Sequence, residues 1–93
     1  MNYYVGIMKT IDEKKDKEIR EEHIAYLNTL IEQGKILAKG PFTDGSGGLI
    51  IFLADSWEEA ESLADQDPVV KENTREMTLR EWRSNLSIGV SSS

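Results

Sequence analysis

His23 is the only histidine in a chain that has no cysteine, and it falls within a stretch, Asp16 to Gly34, that reads as one amphipathic helix. On a helical wheel Ile19, Leu27, Leu30 and Ile31 share an arc, with Tyr26 and Ile24 at its margins. His23 lies inside that arc, one turn after Ile19 and one turn before Leu27. An unperturbed imidazole titrates at about pH 6.5, so a ring on a buried stripe is either a satisfied core histidine or the proton carrier of a pocket. A carboxylate beside it would fix its tautomer and complete an acid-base pair. Asp67 is one candidate partner, although Asp at an N-cap with Pro68 at the first helical position also explains it as the start of a helical turn. Asp44 has a similar local explanation, because Asp44-Gly45 sits in the turn-rich run Thr43 to Gly48.

Other chemistries find little support. Without cysteine there is no thiolate nucleophile, disulfide or zinc-thiolate site, and one histidine cannot furnish a multi-histidine metal centre, so neither metal nor cofactor is expected. The Gly45-Ser46-Gly47-Gly48 loop lacks the Lys-Ser/Thr of a phosphate-binding loop and runs into a strand rather than a helix. The acidic run Glu58, Glu59 and Glu61 reads as a solvated helix face. A formal charge of -6 opposes binding to phosphate backbones or anionic lipid. No apolar run approaches the ~20 residues of a membrane span, and the N-terminus lacks a signal-peptide pattern, so the expected location is the cytoplasm.

The elements that must position His23 follow from periodicity. Tyr3 to Lys9 is a β-rich run, apolar on both alternating sets, and Leu49 to Ala54 is apolar throughout; both predict central strands. The helix containing His23 starts between residues 12 and 16 and ends at Gly34, which suits a left-handed position after the helix. Lys35 to Phe42 predicts an edge strand, with Ile36, Ala38, Gly40 and Phe42 on one side and Leu37, Lys39 and Pro41 on the other. Ser56 and Glu59 form a capping box for a second helix that buries Trp57, Ala60, Leu63 and Ala64. A loop or single helical turn follows at Asp67-Pro68-Val69-Val70, and a charged edge strand spans residues 73 to 83.

This β-α-β-β-α-β order predicts a single α+β, ferredoxin-like domain over residues 1–86, with 87–93 as a flexible tail. Right-handed crossovers put both helices on one face. The opposite face of two apolar strands then lacks cover, which predicts a homodimer joined sheet to sheet. RNA-recognition domains share the order, but GGLIIFLA has no Lys or Arg in its third-strand position, and the net charge is wrong.

The sequence also resembles the YciI-like (YCII-related) family of small dimeric α+β barrel proteins. The residues that carry the resemblance are YYVGIM; Arg20-Glu21-Glu22-His23 with Tyr26-Leu27, Leu30 and Gly34; Leu37-Ala38-Lys39-Gly40-Pro41 with Asp44-Gly45 and Gly48; and Ala60 leading to Asp67-Pro68. The resemblance spans residues 3 to about 82 and implies a dimeric α+β barrel with a His-Asp active site, here His23 and Asp67. Arg20, Gly40, Pro41 and Asp44 are the implied ligand-binding positions. Val69 departs from the aromatic residue usual after Asp-Pro, and the last strand carries more charge than the pattern. The expected function is acid-base chemistry without metal on a small organic substrate, an isomerisation or elimination by a lyase or isomerase. The alternative is a non-catalytic dimeric module that binds a small ligand or a protein.

Overall fold

The computed structural model describes residues 1–86, so the tail expected at 87–93 lies outside the described residues. The chain runs β1 (Asn2–Thr10), α1 (Glu13–Glu18), α2 (Arg20–Glu32), β2 (Ile36–Pro41), β3 (Gly47–Ala54), α3 (Trp57–Asp65), α4 (Pro68–Lys71) and β4 (Arg75–Trp82). The strands form one antiparallel sheet in the order β2-β3-β1-β4. The two apolar strands without charges in their middles are therefore central, as the sequence predicts, and the helices cover one side. Among the described residues no helix is long and apolar enough to cross a membrane.

Alternation along the strands sorts residues between the two faces. Tyr4 and Met8 of β1, together with Ile50, Phe52 and Ala54 of β3, are buried beneath the helices. They meet Leu27 and Leu30 from α2, Ala60, Leu63 and Ala64 from α3, and Val69 from α4. Full burial of a side chain such as Phe52 or Ile50 stabilises the fold by about 1.5–3 kcal/mol. The other face carries Tyr3, Val5, Ile7, Ile51 and Trp82 in paired register. There Ile7 is 41% exposed and Trp82 41% exposed.

Capping explains several boundaries. Glu59 N–H donates to Ser56 Oγ (3.1 Å), and Glu59 Oε1 accepts from Asp55 N–H (3.0 Å). At the end of α2, Gly34 N–H donates to the Ile31 carbonyl and Lys35 N–H to the Leu30 carbonyl. This paired closure needs a left-handed residue, and Gly34 has φ +75°.

Four expectations are corrected. Trp57, expected on the buried side of the second helix, is 39% exposed and meets the core through an edge contact with Tyr4. The helix expected to run unbroken to Gly34 is two helices that meet at Ile19, whose backbone (φ -102°, ψ 10°) leaves the helical region. The break lets α1 follow Asp16, which is tied to Thr74 and Arg75 at the start of β4, while α2 lies on the sheet. Ile31, placed in the buried arc, is 44% exposed, because α2 buries only His23, Leu27 and Leu30. The simple alternation expected in β2 is interrupted by an irregularity between Ile36 and Ala38. Ile36 pairs with Phe52 and Ala38 with Ile51, so Leu37 is an extra residue and every later side chain changes face. Lys39 and Pro41 thereby join the helix side, opposite the assignment that strict alternation gives.

Candidate active site

The helix-covered side of the sheet does not close completely. Between α1, the start of α2 and the β2–β3 hairpin lies an open cleft of about 300 Å³. Its floor is the end of β1 and the start of β3, with Met8, Gly47, Gly48 and Ile50 among the lining residues. Gly47 is required there, since a Cβ atom would stand 1.8 Å from the Met8 carbonyl oxygen.

His23 lines this cleft, while its partner lies behind it. The His23 Nδ1–H donates to Asp67 Oδ1 over 2.7 Å. The direction follows from chemistry, because an ionised carboxylate only accepts. His23 is 7% exposed and Asp67 fully buried. The same Oδ1 accepts from Val69 N–H (3.1 Å), so Asp67 is also the N-cap of α4, with Pro68 next to it. Capping and pairing with the imidazole are thus performed by one oxygen atom. In the neutral ring this arrangement puts the proton on Nδ1 and leaves the Nε2 lone pair as the group that can meet a ligand.

The second carboxylate oxygen, Asp67 Oδ2, is buried without a hydrogen-bond partner. The nearby Tyr26 hydroxyl donates to the Leu63 carbonyl (2.6 Å). Burial, and then the Asp67 charge, push the Tyr26 phenol up to about 12. Tyr26 is therefore held as a neutral phenol at physiological pH.

A second carboxylate borders the cleft. Asp16 Oδ1 accepts from Thr74 Oγ1 (2.8 Å) and Arg75 Nε (2.9 Å), and Oδ2 accepts from Arg75 Nη2 (2.9 Å). Burial raises the Asp16 carboxyl, but the Arg75 and Thr74 hydrogen bonds, with the charges of Arg75 and His23, outweigh it and hold the group below its ordinary value. Arg75 Nη1 extends to Met8 Sδ at 3.7 Å, so the guanidinium is pinned against the cleft floor.

Of the positions singled out in the sequence, His23, Arg20, Gly40 and Pro41 all border the cleft. Asp67 reaches it only through His23. Asp44 is not among the lining residues; it is exposed in the hairpin, where Oδ1 accepts from Ser46 N–H (2.9 Å) and Ser46 Oγ (2.6 Å). Those hydrogen bonds lower the Asp44 carboxyl, the Ser46 hydroxyl having the largest effect. Sequence reasoning missed Asp16, Lys17, Lys39 and Arg75. Asp16 had a usable signal, since it lies seven residues, two helical turns, before His23 on the same face. Among the described residues no three His, Cys, Asp or Glu side chains are grouped so as to hold a metal ion.

The fold and this arrangement define a small α+β protein with a histidine-bearing cleft beside an open sheet. The chain belongs to the YCII-related domain family, which matches residues 1–83. It is 35% identical over 81 residues to the uncharacterised protein YjpA of Bacillus subtilis (strain 168), covering 86% of this chain and 95% of that one. A similar solved structure is 5-chloro-2-hydroxyhydroquinone dehydrochlorinase (TftG) from Burkholderia phenoliruptrix AC1100 in complex with 2,5-dihydroxybenzoquinone. It shares the fold with a TM-score of 0.74 at 24% identity, over 87% of this chain and 93% of that chain.

Proposed function

We propose that this protein is an enzyme that moves a proton on a small organic substrate, with His23 as the acid-base group and Asp67 as its positioning partner. The observation that carries the reading is the 2.7 Å Nδ1–Asp67 contact behind a ring that lines a cleft of substrate size. His23 Nε2 takes a proton from a C–H or O–H bond of the substrate. The freed electron pair then either shifts a double bond, with the proton returned at another carbon, or expels a leaving group in an elimination. The Asp67 carboxylate faces the positive charge that develops on the ring, and with Oδ2 unpartnered its own negative charge has no other cation among the described residues to answer it. Proton transfer by a positioned side chain supplies roughly 10²–10⁴-fold. Loss of HCl from a hydroxylated ring, the reaction named for the dehydrochlorinase of similar fold, belongs to this class.

The test is deuterium exchange and chloride release across a panel of enolisable and chlorinated hydroxyaromatic compounds, including 5-chloro-2-hydroxyhydroquinone. Activity found in the wild type should vanish in His23→Ala while the far-UV circular dichroism is unchanged. Undiminished turnover by the folded variant would sink the proposal.

The reading includes a homodimer in which the open sheet faces of two copies meet. It is supported by the apolar row Val5, Ile7, Ile51 and Trp82, which no helix of the described chain covers. Light scattering at micromolar concentration should give twice the chain mass for the wild type and a single-chain mass for Ile51→Glu. A monomeric wild type discards the dimer.

A further inference from the structure

We infer that the ligand of this cleft is a small organic acid, bound as its anion, with the anionic group between Lys17, Arg20 and Lys39 and an apolar body against Ile24 and Pro41. The inference rests on the reading of the cleft as the substrate site and adds the chemical class of what enters it.

Charge is distributed against the trend of the molecule. The chain carries 17 acidic and 11 basic residues, yet the cleft is bordered by four cations, Lys17, Arg20, Lys39 and Arg75, and two carboxylates, Glu13 and Asp16. Asp16 is fully engaged by Thr74 and Arg75. Among the described residues Lys17, Arg20 and Lys39 form no ion pair, whereas Lys15 and Lys35, on neighbouring segments, pair with Glu72 and Glu59. Glu13 is thus the one lining carboxylate without a cationic partner, opposed to three unpaired cations.

These cations come from separate elements. Lys17 is on α1, Arg20 opens α2, and Lys39 reaches the same side because Leu37 is an extra residue in the pairing. A cleft walled by low-dielectric apolar side chains focuses the field of such charges on its interior. Bonds from ammonium and guanidinium groups to a carboxylate are roughly twice as strong as neutral ones. Ile24 and Pro41, both exposed at the cleft, offer nothing to a fully hydrated inorganic ion, and they match a hydrocarbon ring or short chain. An organic anion seated this way lies beside the His23 ring.

The pair benzoate and benzamide tests this, because the two have nearly the same shape and differ in charge. Binding is followed by ¹H–¹⁵N chemical shifts of the wild-type protein. Benzoate should bind at least about 10-fold more tightly than benzamide, with shifts at His23, Ile24 and Gly40, and its affinity should fall as salt is raised. Arg20→Met and Lys39→Met should each weaken benzoate several-fold and leave benzamide unchanged, while Lys71→Met, which removes the same charge at an exposed position of α4 away from the cleft, should change neither. Equal affinity for the two compounds, no benzoate binding up to about 10 mM, or displacement of benzoate by an equal concentration of inorganic phosphate would overturn the inference. His23→Ala separates it from the proton-transfer reading. Retained benzoate preference in that variant supports the anion site whatever becomes of turnover, and loss of the preference there assigns the selectivity to the imidazole and overturns it.

Discussion

Asp16 and Asp67 stand at two junctions of the same protein and are treated in opposite ways. At the junction of α1 with β4, both oxygens of Asp16 are satisfied by Arg75 and Thr74. At the junction of α2 with α4, Asp67 has one oxygen shared by His23 and Val69 and the other bare. A carboxylate whose charge is fully answered ties elements together. One whose charge is answered mainly by a titratable ring keeps interaction energy in reserve for a change in that ring's protonation. On the proposed reading the contrast gives Asp16 a structural task and Asp67 a chemical one.

The largest expected effect separates these tasks directly. Asp67→Asn keeps an oxygen for Val69 and for His23 Nδ1–H but removes the charge, and kcat should fall by about 100-fold or more. Asp16→Asn should alter kcat by no more than about threefold. Steady-state assays of the two folded variants check this, and equal losses would break the comparison.

Stability should divide the other way. Asp16→Asn should cost about 1–2 kcal/mol at neutral pH in urea titrations, as an ion pair with good two-bond geometry is lost. Because the folded-state carboxyl is depressed, its contribution is complete above the unfolded value of about 3.9 and disappears as pH falls through the lower folded value. The difference between wild type and Asp16→Asn should therefore shrink below about pH 4. A difference that persists unchanged to pH 2 would refute the ionic role.

A smaller effect reports on the Asp67 charge itself. Tyr26 should ionise only at about 12 in an ultraviolet titration. Its burial survives in Asp67→Asn, so the value should move down only part of the way toward 10.0. Asp16→Asn should leave it in place, and a matching shift in that variant would blur the distinction drawn above.

Much of the frame was legible because it rests on local rules. The central strands are apolar runs without charges in their middles, Ser56 and Glu59 announce a helix start, and Gly34 announces a helix end. Asp67 was visible as a candidate, yet its capping role looked like a competing explanation. The structure has one oxygen performing the cap and the histidine contact together, which spacing could not reveal. Asp44 obeyed the same kind of turn rule and remained exposed on Ser46, so turn chemistry alone does not separate the two aspartates. Arg75 was hidden because its partner is 59 positions away in sequence. The split at Ile19 was hidden because the tether that bends the chain is tertiary, and Ile31 looked buried because hydrophobic spacing does not say how wide a stripe the sheet covers.

The extra residue at Leu37 makes β2 tolerant of a change in length as well as in composition. Leu37 is 40% exposed, so many side chains would fit there, and its removal would restore strict alternation. Ile36, Ala38 and Lys39 would then face Phe52, Ile51 and Ile50 as they do now, and Lys39 would keep its place beside the cleft. A single codon lost here would thus leave ligand capture and pairing in place, as would a substitution at the same codon.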